Sequence, residues 1–318
     1  MKKILGVGLG IAASMTAALI WREQRRTQRW ENLDLADADA GDFVTLSDGA
    51  QLHYVRRDPA TPPTADTADV ILIHGVLDSA RNWLKNVDAL AQTHRVWALD
   101  LVGFGYSTRV ATPTYSLKQY ARHLREFMDA HQITRAHLVG HSLGGAVALE
   151  FAHDFPARVA RLIAIAPATF LLASLPPALR WFARVPLLPH AVIGYSLTNS
   201  HARMSAWRIA LGDPNRIDPR EAELRTRPLH LKGTTAALVA MLASPYHSDL
   251  PRELARVTAP TLIVWGDKDL AVPVAHAARH ARVLPNAQVI ILAGAGHIPQ
   301  NECPAVVNRL MAEFLGAG

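Results

Sequence analysis

A chain of 318 residues, half of them apolar and 19% charged, can fill one large core or a core with an insertion, and global disorder is excluded. Its single cysteine, Cys303, excludes an internal disulfide and a multi-cysteine metal site. The net charge of +6 sits at one end. Lys2, Lys3, Arg22, Arg25, Arg26 and Arg29 against Glu23 place +5 within residues 1–30, so the nearly neutral remainder offers no basic face for nucleic acid.

The first element in chain order is Ile4 to Trp21, 18 residues without a formal charge. As a helix this run measures about 27 Å, close to the hydrocarbon thickness of a bilayer. Both flanks are basic, Trp21 and the following arginines have the character of interfacial anchors, and Gly6 with Gly10 forms a small-xxx-small pair. Residues 1–30 are therefore expected to be a membrane-spanning helix that anchors the protein, with no orientation assigned because neither flank dominates. Export after signal cleavage is the alternative, although no clean small-x-small site precedes Arg22. A helix docked on the body of the protein is a third reading. Residues 31–42 read as a polar, acidic linker.

Beyond the linker the chain alternates short apolar runs with helical patterns. Phe43 to Leu46 and Gln51 to Arg56 flank the turn Ser47-Asp48-Gly49 and read as strands; Asp58 to Ala68 is a Pro/Thr/Ala loop. Val70 to Ile73, Val96 to Leu99 and Leu138 to Val139 are strands followed by helices over Arg81 to Gln92, Ser116 to His131 and Leu143 to His153. The rhythm returns with strands at Leu162 to Ile165, Leu262 to Trp265 and Val289 to Leu292 and helices near Val274 to Val283 and Pro304 to Leu315. This is the pattern of an α/β, doubly wound and mostly parallel sheet. Residues 43–168 and 252–318 form its core. Residues 169–251 interrupt the rhythm with apolar residues such as Leu172, Trp181, Tyr195, Trp207, Leu238 and Tyr246 at helical spacing, and read as a helical cap above the strand ends.

At Gly140-His141-Ser142-Leu143-Gly144 a strand runs through G-x-S-x-G into an alanine-rich helix. So sharp a turn holds its serine in strained backbone, and side chains at the two glycines would strike the neighbouring strand and helix. A serine hydroxyl is a weak nucleophile and needs a base, which in turn needs a group to hold its tautomer. Gly266-Asp267-Lys268-Asp269 follows one late strand, and Gly294-Ala295-Gly296-His297 follows the next. On residues alone, either aspartate is a candidate to orient His297.

With these motifs the chain from about Gly41 to Leu315 resembles α/β-hydrolase-fold enzymes with a helical cap, the group of bacterial esterases, lipases and carbon–carbon bond hydrolases. The stretch Asp100-x-x-Gly103-x-Gly105-x-Ser107 is similar to one these families carry as a structural turn. The resemblance implies the order serine, acid, histidine: Ser142, Asp269 and His297, with Asp267 left to turn hydrogen bonding. It also implies that Ile73-His74-Gly75-Val76 supplies an oxyanion loop, the donors being the N–H groups of Val76 and Leu143, with Leu77 the runner-up for the first. His74 is read as a hydrogen bonder beneath that loop. Epoxide hydrolases and haloalkane dehalogenases place a carboxylate at the position of Ser142 and are excluded.

The expected function is cleavage of carboxylic esters, with hydrophobic acyl esters as the small-molecule substrate, through an acyl-enzyme. Carbon–carbon bond hydrolysis or perhydrolysis on the same triad, and a non-catalytic ligand-binding protein, are the alternatives. No cofactor, metal or nucleic acid enters these expectations, and the membrane is the one other partner, through residues 1–30.

Overall fold

The structure is a computed structural model that describes residues 2–38, 41–59, 68–112, 114–174, 176–213, 218–244 and 249–316, with side chains from residue 16 onward except those of Pro177, Arg180 and Pro219. Eight strands, β1 (Asp42–Thr45), β2 (Gln51–Arg57), β3 (Asp69–Ile73), β4 (Val96–Leu99), β5 (Ala136–His141), β6 (Val159–Ile165), β7 (Thr261–Gly266) and β8 (Ala287–Leu292), form one sheet. Its order is β1-β2-β4-β3-β5-β6-β7-β8. β2 runs antiparallel to both neighbours, and from β4 to β8 every pairing is parallel.

Strand alternation explains the two layers around this sheet. On β3, Ile71 and Ile73 enter one apolar cluster while Val70 and Leu72 enter another on the opposite face. Helices α3 (Leu117–Ala130), α4 (Leu143–Asp154) and α12 (Ala275–Val283) cover the first cluster; α2 (Val87–Leu90) and α14 (Pro304–Gly316), which follows the single turn α13 (Pro299–Glu302), cover the second. Tyr120, Leu124, Phe127 and Met128 give α3 its buried stripe, and Val307, Met311 and Leu315 do so for α14.

The helix expected over Arg81 to Gln92 is broken into a 3-10 turn, Ala80–Trp83, and the single turn α2. Asn82 and Asn86 turn inward between these pieces. Asn86 Nδ2 donates to the Gln300 carbonyl at 3.2 Å and to Asn308 Oδ1 at 2.6 Å, so tertiary hydrogen bonds displace a continuous helix.

Between β6 and β7 lie α5 (Thr169–Ala173), α6 (Pro177–Ala183), α7 (Leu188–Thr198), α8 (Ser200–Ala210), α9 (Pro219–Thr226), α10 (Thr234–Ala243) and α11 (Leu250–Glu253). Tyr246 and the side chain of Arg180 lie outside the described residues. Tyr195 is half exposed, its hydroxyl accepting from Asn199 Nδ2 at 3.1 Å.

Residues 2–30 form a helix, α1 (Lys2–Trp30), but the membrane-spanning reading and the anchored location built on it are corrected. Among the described residues no helix is long and apolar enough to cross a membrane. The side chains of residues 1–15, including the Gly6 and Gly10 positions, lie outside the description. Where side chains are described, the second half of α1 carries Arg22, Glu23, Arg25, Arg26 and Arg29 and packs on the insertion instead. Arg26 Nη2 donates to the Thr198 carbonyl at 3.1 Å, and Thr27 is buried against α7. A Cβ at Gly194 of α7 would strike Thr27 Oγ1, so the close approach needs that glycine. Glu31 then caps the start of α10, accepting from Thr235 N–H at 2.7 Å and Gly233 N–H at 3.0 Å. Leu33 pairs with Leu231, and Lys232 meets Asp34 at 2.6 Å, so the segment after α1 is fastened to the insertion.

Several buried histidines make this fold sensitive to acid. Burial pushes His137 and His280 each down to about 4, with like charge from His94 adding to the effect at His137, and lowers His74. Such a ring stays neutral in the fold but protonates near 6.5 in the unfolded chain. The stability it contributes is complete above that value and is lost as pH falls towards the folded value. Urea unfolding is therefore expected to show stability declining between pH 6.5 and 4, by roughly 3 kcal/mol for each of His137 and His280 at the lower end. The double substitution His137→Gln, His280→Gln is expected to flatten that slope; an unchanged slope would refute the assignment.

Candidate active site

The β5–α4 turn places Ser142 at the carboxyl end of a central strand, where open α/β sheets gather their ligands. Its backbone is held at φ 53° and ψ −114°, a conformation in which an L-residue is strained. Close approach explains the two flanking glycines. A Cβ at Gly140 would strike the Gly144 carbonyl, and one at Gly144 would strike the carbonyls of Ile73 and His74. The strained turn projects the Ser142 hydroxyl into a cavity of about 350 Å³.

The loops after β7 and β8 bring the other two side chains to the same place. Ser142 Oγ–H donates to His297 Nε2 at 3.0 Å, and His297 Nδ1–H donates to Asp269 Oδ2 at 2.8 Å. A carboxylate only accepts, so the proton of the neutral ring sits on Nδ1 and Nε2 is left basic toward the serine. Asp269 is itself secured by four donors. Oδ2 also receives the Trp265 indole N–H at 3.0 Å, while Oδ1 accepts from the N–H groups of Ala271 at 2.9 Å and Val272 at 2.8 Å. Asp267 accepts from Gly294 N–H at 2.7 Å, a turn bond, and does not reach the ring.

The Gly75-Val76 loop lies directly over the serine, since a Cβ at Gly75 would stand 3.1 Å from Ser142 Cβ. Neither Val76 N–H nor Leu143 N–H has an acceptor among the described residues. Leu143 opens α4, so its N–H adds the positive end of a helix dipole to the same corner. Leu77, next along the loop, adopts φ 59°. His74 is buried beneath, its Nδ1–H donating to the Gly75 carbonyl at 2.6 Å and its Nε2 accepting from Leu101 N–H at 3.0 Å. Asp100 ties the neighbouring turn, accepting from His53 Nδ1–H at 2.8 Å, Tyr106 N–H at 2.7 Å and Ala80 N–H at 2.6 Å.

His141 is fully buried beside the site, its ring 4.8 Å from that of His297. Its Nε2–H donates to the His297 carbonyl at 2.8 Å and its Nδ1 accepts from Asn82 at 3.1 Å. Burial first, and then the neighbouring His297, hold its pKa far below the ordinary histidine value. A ring kept neutral in this way supports the backbone of His297 without adding a charge beside it.

Several groups here escape a reading of motifs. Trp265 steadies Asp269. Glu302 bridges the insertion and the histidine loop, accepting from Gly212 N–H at 2.8 Å and Gly296 N–H at 2.9 Å, and His297 N–H donates to the Ala210 carbonyl at 2.7 Å. Asn82 Oδ1 accepts from Gln300 at 3.0 Å and Asn301 at 2.7 Å. The signals available were the tryptophan preceding Gly266 and the amide pair Gln300-Asn301 after His297; the partners of Glu302 are backbone groups and leave no trace in side-chain pattern.

The cavity walls are apolar, with Leu171, Leu197, Trp207, Leu229, Val272 and Ile298 among them. Two guanidinium groups also reach it, and both are engaged. Arg203 donates to the Leu197 carbonyl at 2.6 Å and lies over the Trp30 ring, and Arg225 pairs with Asp78. Among the described residues no cluster of three or more His, Cys, Asp or Glu is placed to hold a metal ion.

The family described as alpha/beta hydrolase fold matches residues 70–303, which span the sheet from β3 onward and all three site loops. The chain belongs to the α/β-hydrolase fold family. Among its relatives, the dihydrolipoyllysine-residue acetyltransferase component of the acetoin cleaving system of Pseudomonas putida is 34% identical over 249 residues, which are 77% of this chain but 63% of that protein. The 2-hydroxy-6-oxononadienedioate/2-hydroxy-6-oxononatrienedioate hydrolase of Cupriavidus pinatubonensis is 30% identical over 292 residues, covering 89% of this chain and 97% of that one. The crystal structure of a hydrolase from Pseudomonas aeruginosa PA01 superposes with a TM-score of 0.71 at 26% identity, covering 88% of this chain and 100% of the other.

Proposed function

We propose that this α/β hydrolase cleaves carboxylic esters of hydrophobic acyl groups, with Ser142 as nucleophile, His297 as general base and acid, and Asp269 as the group that orients it. The observation that carries the reading is the continuous path from Ser142 Oγ through His297 to Asp269, opening into an apolar cavity. Ser142 attacks the ester carbonyl as its proton passes to His297 Nε2. The Val76 and Leu143 N–H groups receive the oxyanion. His297 then protonates the departing alcohol, and in the second half-reaction it deprotonates the water that releases the acid. The helical insertion, residues 169–251, serves as the cap that keeps bulk water from the acyl group.

The relative from Cupriavidus pinatubonensis is named for a carbon–carbon bond hydrolysis on a substrate with two carboxylates. A dianion needs unspent cations. The engagement of Arg203 and Arg225 and the apolar walls favour an uncharged acyl chain here. A series of p-nitrophenyl esters, run beside a 2-hydroxy-6-oxo dienoate, tests the choice. The expected kcat/KM rises with acyl length by about four-fold per buried methylene until the cavity is full, because each methylene is worth about 0.8 kcal/mol. Turnover of the dienoate with a flat, low response to every ester would overturn the proposal.

A further inference from the structure

Arg225 belongs to the insertion, on α9, but its guanidinium is used by the core. Its side chain is 4% exposed and lies 4.7 Å from the Trp207 ring centroid in cation–π contact. Nη2 donates to Asp78 Oδ2 and, at 3.3 Å, to Asn82 Oδ1, while Glu221 approaches Nη1 at 3.9 Å. Two paths lead from these acceptors to the site. Asp78 ends the loop Gly75-Val76-Leu77, which holds the proposed oxyanion donor two residues away. Asn82 donates to His141, and His141 donates to the carbonyl of His297.

We infer that Arg225 is a positioning residue that couples the seating of the insertion to the placement of both the Val76 N–H and the His297 ring. The inference rests on the serine-hydrolase reading above. Asp78 is held close to the core with its side chain 11% exposed, and a carboxylate at such depth without its cation pulls its loop toward water. Val76 would move with it. On the other path, loss of the guanidinium removes one of the three donors that fix Asn82 Oδ1, Gln300 and Asn301 being the others, and the support of His141 beneath His297 weakens. A plain anchor for α9 predicts lower stability with unchanged chemistry once folded; a positioning residue predicts slower chemistry, because misplacement by about 1 Å costs up to 10²-fold.

The test uses the full chain as wild type, Arg225→Gln, Arg225→Lys, Asp78→Asn and the double variant R225Q/D78N. Thermal unfolding is measured alongside kcat and KM on the best p-nitrophenyl ester. Arg225→Gln and Asp78→Asn are each expected to lower kcat by about 10- to 100-fold with KM within about three-fold, and Arg225→Lys to recover part of the loss. The double variant is expected to be no slower than the slower single variant, since the two residues act through one contact. If Arg225→Gln does not fold, Asp78→Asn and Arg225→Lys carry the same expectations. Folded variants with wild-type kcat, a loss confined to KM, or losses that multiply in the double variant would overturn the inference. A wild-type chain inert toward every ester would instead overturn the serine-hydrolase reading, and this inference with it.

Discussion

Ser142→Ala is expected to lower kcat/KM toward esters by on the order of 10⁴-fold or more while the protein folds and unfolds much as the wild type does. The activity loss follows from chemistry, because removing Oγ removes the atom that forms the acyl-enzyme and members of such a unit fail together. The small effect on stability follows from the structure. Among the described residues the Oγ bonds only to His297 Nε2, at the wall of the cavity, and alanine keeps the Cβ that the strained turn already accommodates. Steady-state kinetics and a thermal melt of the same sample check both halves. Activity within ten-fold of the wild type would remove Ser142 from the mechanism.

Asp269→Asn is the second large effect, with kcat expected to fall about 10³- to 10⁴-fold where the amide nitrogen turns to His297. All four hydrogen bonds to this side chain run inward, from Trp265, Ala271, Val272 and His297, so every partner needs an acceptor. A carboxamide has one acceptor atom and one donor atom. If the donor faces His297, Nδ1 must accept, the ring proton moves to Nε2, and the serine loses its base. If the donor faces Ala271 and Val272, one buried and one half-buried N–H group lose their partner and stability falls by about 1–3 kcal/mol. Either rotamer is costly, and comparing kcat with the unfolding midpoint tells which is adopted. Asp267→Asn, which shares no hydrogen bond with this network, is expected to keep kcat within a few-fold, since among the described residues the Asp267 carboxylate accepts only from the turn at Gly294.

The sheet was legible because burial on both faces writes itself as short branched runs, and Val70 to Ile73 and Val96 to Leu99 match β3 and β4 to within one residue. That Ser142, an aspartate of the loop after β7 and His297 would meet was legible because each follows a strand of that sheet, and parallel strands deliver their following loops to a common edge, whereas the choice of Asp269 over Asp267 came only from the family resemblance. Two parts were not. The stretch from Arg81 to Gln92 has helical composition, yet Asn82 and Asn86 spend their amides on Asn301, Gln300 and Asn308, contacts more than two hundred residues away that no local pattern encodes. The N-terminal helix misled for a different reason. Its apolar run satisfies a length criterion, whereas its docking depends on Arg26 reaching the carbonyl of Thr198 and on Glu31 meeting the N–H groups of Gly233 and Thr235. Backbone partners carry no side-chain signature, so a basic flank that reads as a membrane anchor is in fact bound to the insertion.

The most direct measurement is covalent labelling with a fluorophosphonate probe followed by mass spectrometry of the peptides. An activated serine next to a basic imidazole reacts, and an ordinary serine does not. The account predicts one adduct, on Ser142, that is lost in Ser142→Ala and formed far more slowly in His297→Ala. No adduct on the folded wild-type chain, or an adduct on a different serine that persists in Ser142→Ala, would contradict it.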